Sequence, residues 1–165
     1  MSRHSSFSVQ EKSAVEEIVG YRFENEGYLL RALTAKGCEF APHGTNDRLA
    51  VPGATVLNLV IVDTAHDTGL GKELMDRERQ KWASKSFIAR QGFARGLDNY
   101  LRISQSCQGH CSSDQMATAV EALIAAIWLD SGKKLETVCA SAQRMGIPLA
   151  DRNPDLTQRL DALEY

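Results

Sequence analysis

The chain has 165 residues, of which 43% are hydrophobic and 24% are charged, and its formal net charge is -2. This size and composition predict one compact domain with a single hydrophobic core, and they do not favour a second full domain. The near-neutral charge argues against a protein that coats nucleic acid by bulk charge, although it permits a local basic face.

Features of targeting and redox environment favour an intracellular protein. The N-terminal residues lack the apolar segment of a secretion signal, and no run of about 18 apolar residues predicts a membrane span. The four cysteines, at positions 38, 107, 111 and 139, have no tight repeating spacing, which favours a reduced environment over a disulfide framework. We therefore expect no membrane partner, while cytoplasm, nucleus and mitochondrion stay open.

The first third of the chain predicts two helices and a loop. Residues 1–8 are polar, and we expect them to be disordered. Apolar residues then recur at helical spacing from Val9 to Val19, and Gly20 is typical of a helix stop. Asn25 can cap a second, short helix with a leucine-rich face, and the glycines and proline of residues 35–45 indicate a loop.

A long helix is expected next, capped by Thr45 or Asn46 and reaching about His66. Within it Gly53 leaves room for a neighbouring backbone, whereas Pro52 lacks an amide hydrogen and predicts a kink or a delayed start. The predicted buried stripe consists of Leu49, Gly53, Val56, Leu57, Val60 and Ile61.

The following segment, Lys72 to Arg95, is predicted as one basic helix with seven basic and three acidic side chains. It is the best candidate for a surface that faces nucleic acid, and a simply solvated face is the alternative. The candidate RNA contacts are Lys72, Arg77, Lys81 and Lys85. The expected buried positions are Leu74, Trp82, Phe87, Ile88 and Phe93.

The last third predicts further helices around a polar loop. Residues 107–111 contain two cysteines and a histidine without a second ligand pair, so we interpret them as a polar loop rather than a zinc site. Ser113 or Asp114 can cap the next helix, which is apolar nearly all round, as in a central helix or a subunit interface. Leu135 to Met145 predicts another helix, and Leu156 to Leu163 a short final one. Period-2 alternation never persists, so the fold class is all-α.

Three segments carry motifs that occur together in one known family. The first, Val15 to Thr34, contains G-Y-R-F and then A-L-T. The second, Asn46 to Leu57, reads N-D-R-L-A-V-P-G-A-T-V-L, and the third, Ala117 to Gly132, contains E-A-L-I-A-A-I-W-L-D-S-G. In this order they resemble the ribonuclease III domain, whose signature is N-E-R-L-E-F-L-G-D-A-V-L. The resemblance implies a helical endonuclease domain over residues 9–146 that forms a homodimer, with an extension over 147–165.

The resemblance also implies an active site of four carboxylates that hold divalent metal, since Mg²⁺ needs hard oxygen ligands to promote phosphodiester hydrolysis. Carried over by position, the two acids of the signature become Ala50 and Ala54. On the closing helix the aspartate becomes Thr118, and only the glutamate remains, as Glu121. The spacings place each pair on one helix face. Asp47, one turn before Ala50, is a supporting acid in such a site.

These replacements favour a member that has lost metal-dependent cleavage. We expect a dimeric module that binds structured or double-stranded RNA, or that has an architectural role in a ribonucleoprotein assembly for RNA processing. No cofactor is expected, and Mg²⁺ or Mn²⁺ would bind only if activity remains.

Two alternatives stay open. One is an active endonuclease that uses Glu121, Asp47 and an acid from elsewhere, such as Asp63 or Glu73. The other is a protein-interaction module that does not bind RNA. For single residues, Glu121 is alternatively a buried acid paired with an arginine or capped by Thr118, and Asp47 is alternatively a first-turn acid that favours the positive end of its helix.

Overall fold

The computed structural model describes residues 7–149, and within that range the chain forms seven α-helices and no β-strand. In chain order they are α1 (Val9–Val19), α2 (Glu26–Ala32), α3 (Asp47–Asp67), α4 (Lys72–Trp82), α5 (Lys85–Ala94), α6 (Ser113–Asp130) and α7 (Leu135–Arg144). Two short 3-10 turns lie between α5 and α6, and one isolated parallel bridge joins Thr34 to Arg102. The prediction of an all-α fold is confirmed.

The centre of the fold is α6, because its middle, from Met116 to Ile127, is almost entirely buried. From Met116 to Ile127 only Thr118 keeps partial exposure, and α2, α3, α5 and α7 all pack against this helix. Its apolar surface is therefore that of a central helix, one of the two predicted roles. The N-cap is Ser112, whose side chain forms a capping box, so the predicted caps Ser113 and Asp114 were wrong by one or two positions.

The long helix α3 makes the most extensive helix contact in the described range, against α6. Its predicted stripe from Leu49 to Ile61 is buried, as expected. At Gly53 the two backbones nearly touch, since a Cβ atom there would lie 1.7 Å from the carbonyl oxygen of Glu121. The opposite face of α3 is open, where Val51 is 70% exposed and Leu59 48% exposed.

By length and composition, α3 is the one helix in residues 7–149 that could cross a membrane, whereas the sequence predicted no apolar run of that length. Half of its most apolar window is buried inside the fold. Core helices of soluble proteins have the same length and composition, so this property is weak evidence for a membrane span.

The start of α3 differs from the prediction. Asn46 does not cap the helix with its side chain. It is 1% exposed, its side-chain amide donates to the Ala32 carbonyl at 3.1 Å, and its backbone N–H donates to the Thr34 carbonyl at 2.8 Å. These bonds fasten α3 to the end of α2. Pro52 lies inside the continuous helix, so the predicted delayed start was wrong, and the proline deprives only the Arg48 carbonyl of its helical partner.

The basic segment forms two helices rather than the one predicted from Lys72 to Arg95. α4 ends at Trp82, and the side chain of Ser84 accepts a hydrogen bond from the backbone of Phe87 to begin α5. Of the expected buried positions, only Ile88 is fully buried; α4 buries none of its residues. This helix therefore lies on the surface of the domain.

The N-terminal end of the described range packs onto the fold. The ring centre of Phe7 lies 4.2 Å from the guanidinium carbon of Arg102, and Ser8 forms a capping box at the start of α1. Arg102 is nearly buried and pairs with Glu11 at 2.9 Å. The predicted disorder of residues 1–8 was therefore wrong for Phe7 and Ser8, and the remaining six residues lie outside the described range.

The C-terminal helix α7 is fastened to α1, since the side chain of Arg144 donates from Nε to the Glu17 carbonyl at 2.7 Å. Beyond this helix Ile147 and Leu149 are buried. The packed domain thus continues past the expected boundary at residue 146. The short helix predicted from Leu156 to Leu163 lies outside the described residues.

Asp130, the last residue of α6, joins the first and third motif segments. Its carboxylate accepts hydrogen bonds from the Tyr21 hydroxyl and from the backbone N–H groups of Glu24 and Asn25, each at 2.9 Å. Charged acceptors form stronger hydrogen bonds than neutral ones. The aspartate of the closing motif therefore holds the turn between α1 and α2.

Replacement of Gly53 by alanine is expected to cost at least ~3 kcal/mol of unfolding free energy, the upper end for an overpacked core, because the obstructing atoms are backbone. Urea unfolding measures this loss. Gly71→Ala is the matched control, since no atom lies within 4 Å of the added methyl group and its φ is -66°. Equal losses in the two variants would contradict the proposed backbone contact.

Candidate functional site

The four positions that correspond to carboxylates in the ribonuclease III domain lie on α3 and α6, the two helices that meet at Gly53. Ala50 precedes Gly53 by one turn and Ala54 follows it directly, while the backbone of Glu121 contacts Gly53 from α6. Thr118 lies one turn before Glu121 on the same helix. The fold thus brings the two helices that carry these four positions together at Gly53.

Glu121 is the one acid at these four positions, and it is 8% exposed. Its carboxylate has no hydrogen-bond partner among residues 7–149, and the hydroxyl of Thr118 donates instead to the Asp114 carbonyl at 2.8 Å. The predicted arginine pairing and threonine cap are therefore not formed. Burial raises the pKa of Glu121, and the positive charge of Lys85, at the start of α5, partly opposes that rise.

Asp47 occupies the first turn of α3. The hydroxyl of Thr45 donates to its carboxylate at 2.7 Å, and this bond is the main cause of a lowered pKa for Asp47. Backbone N–H groups of the first turn lower the pKa further. These contacts support Asp47 as a carboxylate that stabilises the start of its helix.

The side chains at the site do not fit a divalent metal ion. Mg²⁺ requires several oxygen ligands and gives up its water reluctantly. Ala50 and Ala54 offer methyl groups, and the Thr118 hydroxyl donates its hydrogen to its own helix. In the described part of the chain, no three histidine, cysteine or acidic side chains lie close enough to hold a metal. The fold therefore does not assemble Asp63 or Glu73 with Glu121 and Asp47, nor a metal site in the loop at 107–111.

A basic surface covers α4 and α5. These helices carry six basic and three acidic side chains, in a protein whose net charge is -2. Arg79 is paired with Asp76 at 2.7 Å, which neutralises one of the cations. The four predicted RNA contacts are all exposed: Lys72, Arg77, Lys81 and Lys85.

The corner between α4 and α5 was not predicted from the sequence. There Trp82 meets Phe87 edge to face, with ring centres 4.8 Å apart, and the ammonium group of Lys81 lies 4.2 Å from the centre of the Trp82 ring. The available signal was Ser84, a good N-cap residue located three positions before Phe87. The helical periodicity of the apolar residues continues past Ser84, so periodicity alone did not indicate that α4 ends there.

The fold and the paired halves of the site define a helical domain of the nuclease type found in ribonuclease III. The nuclease domain of ribonuclease III from Campylobacter jejuni superimposes with a TM-score of 0.71 at 23% identity, over 86% of this chain and 97% of that one. That structure is described as showing flexibility in a region involved in dimer formation. At this identity the likeness establishes the fold.

Sequence comparison establishes the family. The family model described as Ribonuclease-III-like matches residues 25–143, so the chain belongs to the ribonuclease III-like family. It is 33% identical over 159 residues to Ribonuclease 3 of Pseudomonas fluorescens, covering 90% of this chain and 67% of that protein. It is 29% identical over 154 residues to Ribonuclease 3 of Streptomyces coelicolor, covering 89% of this chain. The chain spans only 55% of the Streptomyces protein's length.

Glu121→Gln is expected to stabilise the protein at pH 7. The folded-state pKa of Glu121 is raised above the ordinary value of 4.5. The contribution of this side chain to the free energy of unfolding is therefore fully present below pH 4.5 and declines as the pH rises toward the folded-state pKa. The variant should therefore gain unfolding free energy at pH 7 and lose that advantage below pH 4.5. Chemical denaturation across this pH range measures it. A pH-independent difference would contradict the buried, unpaired carboxylate.

Proposed function

We propose that this domain binds structured RNA as a homodimer and does not cleave it, acting as a binding or architectural component in RNA processing. The observation that carries the proposal is the ligand set of the site. One buried carboxylate remains where the resemblance implies four, and it is 8% exposed without a second acid at the other three positions. Such a site lacks the oxygen ligands that metal-dependent hydrolysis requires.

RNA binding is supported by the basic surface. A-form RNA presents phosphates and 2′-hydroxyls to a protein, and exposed lysine and arginine side chains neutralise the phosphates. α4 buries none of its residues, so its cations other than Arg79, which pairs with Asp76, are available to a partner. Lys85 additionally lies within electrostatic reach of Glu121, which extends positive charge to the edge of the candidate site.

Dimerisation is supported by the open face of α3. Val51 and Leu59 are eight residues apart, a little over two helical turns, and both are exposed and apolar. α6 is buried within its own domain between Met116 and Ile127, so it is α3 rather than α6 that can offer an apolar face to a second copy. An exposed apolar face of this kind is typical of an interaction surface.

The purified chain is expected to bind long double-stranded RNA with an affinity that falls steeply with salt, and to leave that RNA intact in Mg²⁺ or Mn²⁺. The matched variant Ala50→Glu/Ala54→Asp/Thr118→Asp restores the implied carboxylates and should bind Mn²⁺ by calorimetry at least ~tenfold more tightly, because hard-metal affinity rises with the number of anionic oxygen ligands. Gel analysis follows cleavage, and titration in a range of salt concentrations follows binding.

The controls separate the alternatives. Metal-dependent cutting by the unmodified chain that disappears in Glu121→Ala would establish an active endonuclease and overturn the proposal. A chain that binds no RNA at any salt concentration would instead favour the protein-interaction module. Glu121→Gln added to the restored variant should weaken its Mn²⁺ binding. That result would show that the metal occupies this site.

Val51→Asp is expected to convert a dimer into a monomer, because it places a charge in the apolar face of α3. Light scattering at micromolar concentration measures the molar mass. Val9→Asp is a matched control, since Val9 is 69% exposed on α1 and Val51 is 70% exposed on α3. A monomeric unmodified chain, or equal effects of both variants, would contradict an interface on α3.

A further inference from the structure

The corner where α4 ends and α5 begins carries an aromatic pair between two cations. The ring centres of Trp82 and Phe87 are 4.8 Å apart at an interplanar angle of 65°. The ammonium of Lys81 lies 4.2 Å from the Trp82 ring centre, and the guanidinium carbon of Arg90 lies 5.8 Å from that of Phe87. The aromatic pair thus has one cation beside each of its rings.

The orientation of the Trp82 ring is fixed by contacts within the corner. Its indole N–H donates to the carboxylate of Glu78, one turn earlier on α4, and its edge meets Phe87. Trp82 packs partly against the core, yet it is not fully buried. The face under Lys81 is covered by a flexible side chain rather than by the core, so a flat group can replace the ammonium without unfolding the corner.

We propose that this corner stacks an unpaired RNA base on Trp82, with Lys81 moving to an adjacent phosphate. The proposal rests on the RNA binding proposed above. Charge complementarity selects a polyanion, because Lys72, Arg77 and Lys85 are exposed on the same two helices. The ring selects a base that is not in a duplex, since paired bases are stacked inside the helix and every unpaired base offers a π-face.

The test compares a blunt duplex RNA with the same duplex that carries a single-stranded extension, by fluorescence anisotropy on the full chain. The unmodified protein should bind the extended RNA about tenfold more tightly, the usual scale for one stacked base. Trp82→Ala should abolish this preference and leave the affinity for blunt duplex unchanged. Trp82→Phe should keep most of the preference, and it serves as the folded variant if the alanine substitution disrupts the corner.

A second readout uses the two tryptophans of the chain. Trp128→Phe leaves Trp82 as the only fluorescent indole, and the extended RNA should quench it while blunt duplex should not. Equal binding of both RNAs by the unmodified protein, or a preference that survives Trp82→Ala, would overturn the stacking site while RNA binding stands. Failure of the unmodified protein to bind either RNA would overturn both proposals.

Discussion

The contact between Gly53 and the backbone of Glu121 determines how the rest of the domain is arranged. A side chain at position 53 would collide with the Glu121 carbonyl, so only glycine lets α3 approach the central helix this closely. The same contact brings the two halves of the implied active site together. Packing and ligand geometry therefore depend on one constraint, while the ligand side chains themselves are dispensable for packing. Replacement of those acids leaves the fold intact.

Two residues that retain the family's motifs, Asn46 and Asp130, join helices. Asn46 bonds to the carbonyls of Ala32 and Thr34, which links the second motif to the first. Asp130 closes the turn after α1, which links the third motif to the first. By contrast, Ala50 and Ala54 fill helical positions with the residue of highest helix propensity. Without a bound metal, clustered carboxylates repel one another, so their removal relieves a cost that the folded domain would otherwise carry.

Local signals in the sequence predicted the caps at Gly20 and Asn25 and the buried stripe on α3, because each depends on neighbouring residues or on one helix face. The errors occurred where distant contacts decide. Asn46 is a good N-cap by composition, yet its amide is used by α2. The break after Trp82 was instead a local signal that was overlooked, because the side chain of Ser84 caps the start of α5. Arg102 was missed because its partner Glu11 is distant in sequence.

The electrostatics of the site are consistent with a domain that binds RNA without a metal. Four carboxylates in a metal-free site would repel the phosphates of an approaching RNA, and a divalent ion normally compensates for them. Here one carboxylate remains, burial raises its pKa, and the positive charge of Lys85 acts on it. In the proposed function, the replacement of three acids removes the requirement for a metal counter-ion together with the chemistry that the ion would supply. In the proposed function, one set of substitutions abolishes cleavage and makes metal-free binding of RNA more favourable.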